Sequence, residues 1–258
     1  MTNYLYISTM KPLLLIATLL VGLYSKSQIV NIEKERFVND TTGWAGSGDF
    51  GFSFGKQQNT FYTLYANAHV QYKNEKNLYL LLGSYEMIKG KSEKILNGGF
   101  LHFRYNYKIR NWVRWEAFTQ IQHNELTALK LRYLIGTGPR FKLSQKEKYK
   151  FYLGYHYMFE YEINEAETDK LKQHRVNAYL SFTIKPNDIV ELTSTTYYQP
   201  LISNMKDYRI TTDNAIHFSI NSFLSLYMSY RLTYDAVPPI GSATKLTYLW
   251  NNGLSFEW

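Results

Sequence analysis

The chain has 258 residues, enough for one domain of sandwich or barrel size. Aromatics make up 17% of it, with 24 Tyr, 15 Phe and 5 Trp, while the mean hydropathy is only -0.35. The absence of cysteine excludes a disulfide framework, and a net charge of +8 with no Lys/Arg cluster on one helix face excludes a nucleic-acid surface.

The chain opens with Lys11 ahead of an apolar run, Leu13 to Tyr24, and then Ser25 to Gln28. The run is too short for a comfortable transmembrane helix and fits a signal-peptide core. Residues 1–28 are therefore expected to be a signal peptide, with Met1 or Met10 as the true start. Residues 29–43 read as a short polar lead, and 44–258 as the folded domain.

From Trp44 onward the apolar residues recur at every second position, as one face of a strand requires. Trp44, Phe50, Phe52 and Phe54 alternate with Ala45, Ser47, Asp49 and Ser53. Leu64, Ala66, Ala68 and Val70 come next. Tyr79, Leu81, Gly83, Tyr85 and Met87 are taken as the outer row of the third strand, although Leu78, Leu80 and Leu82 between them are apolar too. Phe103 and Tyr105 then alternate with His102 and Arg104. Trp115, Ala117 and Ile121 alternate with Arg114 and Glu116, and Tyr133 and Ile135 with Lys130 and Arg132; Arg140 and Lys142 continue that polar row.

The second half repeats the theme. Leu153, Tyr155, Tyr157 and Phe159 oppose Gly154, His156 and Glu160. Val176, Ala178 and Leu180 oppose Arg175 and Asn177. Val190, Leu192 and Tyr198 oppose Glu191. Tyr208, Ile210, Ile216 and Phe218 oppose Arg209, Asp213 and His217. Leu226, Met228, Tyr230 and Leu232 oppose Ser225, Ser229 and Arg231. Leu246, Tyr248, Trp250, Leu254, Phe256 and Trp258 form the last row. This makes about twelve strands, an even number.

Tight connections (73–76, 108–111, 144–148, 185–188, 221–222) alternate with longer ones (88–94, 124–129, 163–170, 201–206, 236–244). Gln57–Asn59 is a short exception. The pattern fits short periplasmic turns and longer outer loops.

The final strand, ending on Trp258, resembles the export and assembly signal of bacterial outer-membrane β-barrels. That resemblance implies delivery to the barrel assembly machinery and pairing of the last strand with the first. The polarity of the rows points the same way. A sandwich buries its apolar rows, and a lipocalin lines its lumen with them; a membrane barrel puts aromatics on lipid and the polar row inside. The expected fold is an all-β, antiparallel up-and-down transmembrane barrel in the outer-membrane lipid.

Four short stretches also resemble the outer-membrane family called domain of unknown function 481, the salt-induced outer-membrane protein type. They are Trp44 to Gly51, Arg132 to Pro139, Asp207 to Arg209, and Tyr234 to Pro239. The resemblance implies a barrel in the Gram-negative envelope and brings no ligand or catalytic residue with it.

Three sets of residues invite chemistry. His217 and Ser219 have the His-x-Ser spacing of outer-membrane lipid hydrolases. Their row is the inward one, near a short turn, whereas a lipid substrate demands the outward face. They are read as ordinary interior polar residues. His102, His156 and His217 lack metal-ligand spacing and are read the same way. The acidic stretch from Ile163 to Asp169 lacks the ligand spacing of a calcium loop. No cofactor is expected.

The expected lumen-lining set is Arg104, Arg114, Glu116, Arg132, Arg140, His156, Glu160, Arg175, Arg209, Asp213 and Arg231. Inward acids read as fewer than inward bases. Either the charges pair and fill the lumen, or surplus Arg favours a narrow passage for anions. The sequence thus points to a non-catalytic, porin-like or structural envelope barrel, with the oligomeric state open and a monomer admissible. The competing readings are a lipid-modifying enzyme and one subunit of a larger complex. For the last, the outward polar residues Ser194, Thr196, Thr212 and Asn214 would form the seam.

Overall fold

The computed structural model describes residues 42–56, 60–90, 94–146, 148–164, 170–221, 223–238 and 244–256. The signal segment, most of the polar lead, the Gln57–Asn59 loop, most of the acidic loop and Trp258 lie outside the described residues.

Twelve strands form one antiparallel sheet, each hydrogen-bonded to the next in chain order. They are β1 (Gly43–Lys56), β2 (Thr60–Lys73), β3 (Asn77–Lys89), β4 (Lys94–Lys108), β5 (Val113–Asn124), β6 (Leu129–Lys146), β7 (Tyr149–Asn164), β8 (Leu171–Ile184), β9 (Val190–Leu201), β10 (Asn204–Ser219), β11 (Leu224–Asp235) and β12 (Leu246–Phe256). Among the described residues a single 3-10 turn, Glu125–Thr127, interrupts the series between β5 and β6.

Period-two patterning sets the register, because a slip by one residue would turn every polar side chain outward. Phe118 pairs with Gly136 and Arg104, and Glu116 with Gly138 and Asn106, so one polar row crosses β4, β5 and β6. The doubtful third strand resolves as expected. Leu78, Leu80 and Leu82 lie buried on the inner row, and Tyr79, Leu81 and Tyr85 lie exposed on the outer one.

Three of the short turns share one device. The Oδ1 of Asn74 accepts the N–H groups of Lys76 and Asn77, that of Asn187 those of Ile189 and Val190, and that of Asn221 those of Phe223 and Leu224. An Asn side chain standing in for a backbone carbonyl lets a few residues reverse the chain.

Two expectations need correction. The β9–β10 connection is not a long outer loop: β9 runs to Leu201 and β10 begins at Asn204. Leu201 pairs with Asn204, and Met205 and Lys206, assigned to the loop, are taken into β10 at an irregularity before Tyr208 pairs with Pro200. Second, β12 does not pair with β1 among the described residues; the two strands are the free ends of the sheet. The ladder from β1 to β12 is continuous, but among the described residues the row of backbone groups on each end strand lacks a neighbouring strand.

The sheet nevertheless curls hard around its polar face. Side chains separated by two intervening strands bond across it, β5 to β8 and β7 to β10.

Candidate functional site

The inward rows of β4 to β10 stack into layers, counted from the short-turn end upward. The lowest is a row of cations: Lys108 sits opposite Arg114, and Arg114 opposite Arg140.

Above it lies Glu116, buried with no exposed surface. Its carboxylate faces Arg104 at 3.4 Å, Arg140 at 3.8 Å and His156 at 3.2 Å, and accepts the Tyr179 hydroxyl at 3.1 Å. Both ring nitrogens of His156 face oxygen acceptors, Glu116 on one side and the Asn177 carbonyl on the other. His102 bonds to the Gln120 side chain, and its other nitrogen accepts from Arg104 Nε.

The third layer is apolar: Phe118, Leu134 and Met158. Leu80, Leu82 and Phe100 pack beside each other on β3 and β4.

The fourth layer is ionic. Glu160 is held by Arg132 at 2.8 Å, Arg175 at 2.8 Å and Arg209 at 2.6 Å. Arg132 also bonds Glu162, Arg175 also reaches Asp207 at 3.0 Å, and Arg209 reaches Asp235 at 2.9 Å. Three guanidiniums and four carboxylates thus share one network. A buried charge is tolerable only when paired and hydrogen-bonded, and each of these is. On the far side of β10, Asp213 pairs with Arg231 at 2.7 Å.

All eleven residues expected on the inner face lie on inward rows. Nine are buried, while Arg114 and Arg231 are half-buried. Lys130 departs from its expected row: it is exposed at a bulge where β6 skips between Leu129 and Leu131. His217 and Ser219 continue the row of Arg209 and Asp213, and the Ser219 N–H bonds the Ile189 carbonyl beside a short turn. His102 and His156 flank Phe118, each ring centroid 5.8 Å from it, so they do not converge on one point. Among the described residues no group of three or more His, Cys, Asp or Glu could hold a metal.

Leu80 and Leu82 stand out in the sequence as apolar residues opposite an outer row, but Phe118, Leu134 and Met158 escape notice because the other inward rows read as polar. Sequence reasoning also missed Asp235 and Glu86, which share the inward rows of Arg209 and Leu82. With these two acids counted, and Lys130 off the inner row, the bases read as inward no longer outnumber the acids. Three of the stretches that carry the family resemblance meet here: Arg132, Asp207, Arg209 and Asp235 all belong to the fourth layer.

The outer face carries two aromatic ladders. Near the short turns, Trp44, Tyr72, Tyr79 and Tyr105 follow one another at centroid spacings of 5.0, 6.2 and 5.0 Å. Near the opposite end, Tyr198, Tyr208 and Tyr234 do so at 5.8 and 5.7 Å. Between them on β9 and β10 sits an outward polar cluster. Ser194 donates to Asn214 at 2.7 Å, and the Thr196 and Thr212 hydroxyls are 2.9 Å apart.

The family model described as "Protein of unknown function, DUF481" matches residues 48–256. No curated protein matches the chain. Among solved structures, one described as "NanC porin structure in rhombohedral crystal form" is similar at 11% identity and a TM-score of 0.45, covering 83% of this chain and 100% of that one. Another, from "Unveiling the Mechanism Behind the in-meso Crystallization of Membrane Proteins", is similar at 8% identity and a TM-score of 0.37, covering 83% of each chain.

Proposed function

We propose that this chain, which belongs to the DUF481 family, is a non-catalytic β-barrel of the bacterial outer membrane, braced internally and leaving at most a narrow passage for small solutes. One observation carries the reading: charges are buried on the inner face while aromatics stand exposed on the outer face in two bands. In water that arrangement is inside out. In a bilayer it is the favourable one, since tails accept the apolar rows and aromatic rings suit both headgroup interfaces. Strands of 11 to 18 residues are long enough to span when tilted.

The same solvent bears on the free ends of the sheet. Each unsatisfied backbone group in hydrocarbon costs several kcal/mol. In the membrane, β1 and β12 therefore pair and close the barrel, and the terminal strand ending in Trp258 is what the assembly machinery engages. His217 and Ser219 face away from lipid, which favours a barrel without hydrolase activity.

The layered interior argues for bracing over bulk transport. Reconstitution in planar bilayers tests it: the expected conductance is small or absent. Steps of general-porin size would overturn the reading, as would recovery of the chain outside the outer-membrane fraction.

The polar cluster on β9 and β10 favours a second reading, a barrel that is one subunit of a larger complex. Polar groups facing lipid are costly unless covered. Asn214→Leu distinguishes the two: it stabilises a solitary barrel and dissociates a complex, which gel filtration in mild detergent reads directly.

A further inference from the structure

One polar cluster stands on the outer face, at the loop end of β3, β4 and β5. Gly99 on β4 pairs with Tyr85 on β3 and with His123 on β5, so two side chains flank a position that has none. The floor admits little else: a Cβ at Gly99 would stand 2.6 Å from the Ser84 carbonyl oxygen and 3.0 Å from the Tyr85 ring. Asn97, on the same outward row and nearer the loops, ties the walls together. The Tyr85 hydroxyl donates to Asn97 Oδ1 at 3.0 Å. Asn97 Nδ2 donates to Glu125 Oε1 at 2.9 Å and lies 3.3 Å from His123 Nε2. His123 Nδ1 donates to the Lys130 carbonyl at 2.8 Å, since a carbonyl can only accept. In the neutral ring that leaves Nε2 as an acceptor for Asn97.

The backbone is strained beside this cluster. Ala128 has a φ of 53°, the one positive φ at a non-glycine among the described residues. It follows the 3-10 turn that carries Glu125, and its N–H bonds the Glu125 carbonyl at 3.1 Å. Such a conformation persists where the surroundings over-determine it, and it gathers at functional sites. Here it brings Glu125 to Asn97 and the Lys130 carbonyl to His123.

Lipid tails do not call for a hydroxyl, an amide, an imidazole and a carboxylate on one outward patch. A headgroup does. Lys89 ends the outward row of β3, and Lys130 opens β6; both are exposed. On the other side of the notch, toward mid-strand, Leu101 and Ile121 are paired and exposed. A ligand there meets hydrogen-bonding groups and cations at its head and apolar surface under its tail.

We propose that this notch holds the headgroup of a phosphorylated glycolipid in the leaflet at the loop end. Sugar hydroxyls both donate and accept, which matches a wall built of Tyr85, Asn97, His123 and Glu125. The lysine ammonium groups serve the phosphate as point charges. The proposal rests on the barrel reading for which face meets lipid.

The test uses the full-length mature protein refolded in neutral detergent, with lipid A, a phosphorylated disaccharide lipid, as the probe. Native mass spectrometry compares its retention with that of phosphatidic acid, which has phosphate and no sugar. The second control is monogalactosyl diacylglycerol, which has sugar and no phosphate. Retention of lipid A should exceed either by about tenfold, the ratio that one or two net hydrogen bonds support. Asn97→Leu removes the residue that Tyr85, His123 and Glu125 share, and leucine suits a lipid-facing position, so this variant should fold and lose the preference. Lys130→Gln, at an exposed bulge, should lose the advantage over the neutral glycolipid alone. Equal retention of lipid A and either control, or a preference unchanged in both variants, would overturn the site. Heat-modifiable gel mobility of the same samples reports the barrel itself. Intact barrels without the preference count against the notch alone, whereas chains that form no barrel overturn both readings.

Discussion

The hydroxyl of Tyr179 on β8 donates to the carboxylate of Glu116 on β5, over 3.1 Å and across two intervening strands. Such a reach needs a bare floor. The floor is glycine: Gly154 on β7 lies beneath the Tyr179 ring, and Gly138 on β6 lies opposite Glu116 and against the His156 backbone. A neighbouring glycine, Gly136, lies beneath Phe118. These glycines are needed for close approach and not for an unusual backbone angle, since the one described glycine with positive φ is Gly43.

A methyl group at position 138 should therefore be felt strongly. A Cβ there would stand 2.2 Å from the Tyr155 carbonyl oxygen and 2.7 Å from the His156 Cα, both backbone atoms that cannot swing aside. Gly138→Ala is expected to destabilise by about 3 kcal/mol or more, at the upper end for overpacking. Gly253→Ala is the control, because nothing lies within 4 Å of its Cβ; it should change stability by less than about 0.5 kcal/mol. Denaturant midpoints of the two refolded variants check the contrast.

The fourth layer should fail as a unit. Glu160 neutralises three buried guanidiniums, so Glu160→Gln keeps the shape but leaves like charges facing each other. Removing one partner of a buried pair costs about 3–5 kcal/mol. The loss should be smaller when Arg209→Met is added, because the second change removes one of the stranded charges. A double-mutant cycle by chemical denaturation measures that coupling. Simple additivity of the two substitutions would show that the layer is not acting as a network.

How much is legible in the sequence follows from which signals are local. Strand number and row polarity come from period two, so spacing alone puts Arg132, Glu160 and Arg209 on the inner face. Their mutual contacts are not legible, because they depend on how tightly the sheet curls, which brings β7 to β10 across two strands. The same holds for Tyr179, which reads as an ordinary strand aromatic until Gly154 and Gly138 are seen beneath and beyond it. Loop lengths mislead at β9–β10 because polar residues such as Asn204 can pair as well as turn.

Ser219→Ala should leave any phospholipase or deacylase signal in purified protein unchanged. Ser219 shares the inward row of Asp213 and His217, at the end of β10 beside the short turn. A scissile ester in the outer leaflet is on the wrong face and at the wrong depth. A clear loss of esterase activity on this substitution, with folding intact, would mean that the row faces lipid after all.

The last expectation concerns the free ends of the sheet. Among the described residues neither β1 nor β12 has a second neighbour, yet an even number of strands leaves them antiparallel and able to pair. Their inward rows carry Ala45, Ser47, Asp49, Gly51 and Ser53 on one, and Thr247, Leu249, Asn251 and Gly253 on the other. In lipid the unpaired backbone groups are too costly to persist. The chain contains no cysteine, so introduced pairs report without background. Ser47→Cys and Ser53→Cys would each be combined in turn with Thr247→Cys, Leu249→Cys, Asn251→Cys, Gly253→Cys and Ser255→Cys. In an antiparallel ladder the partner of Ser53 must lie earlier in β12 than the partner of Ser47, by the same six residues that separate the two serines. Oxidation in membranes should therefore give one favoured partner for each serine at that offset, seen as a shift in gel mobility. The cross-link should vanish when the protein is oxidised in urea. Scattered cross-links without a fixed offset would instead describe an open sheet whose edges meet only by chance.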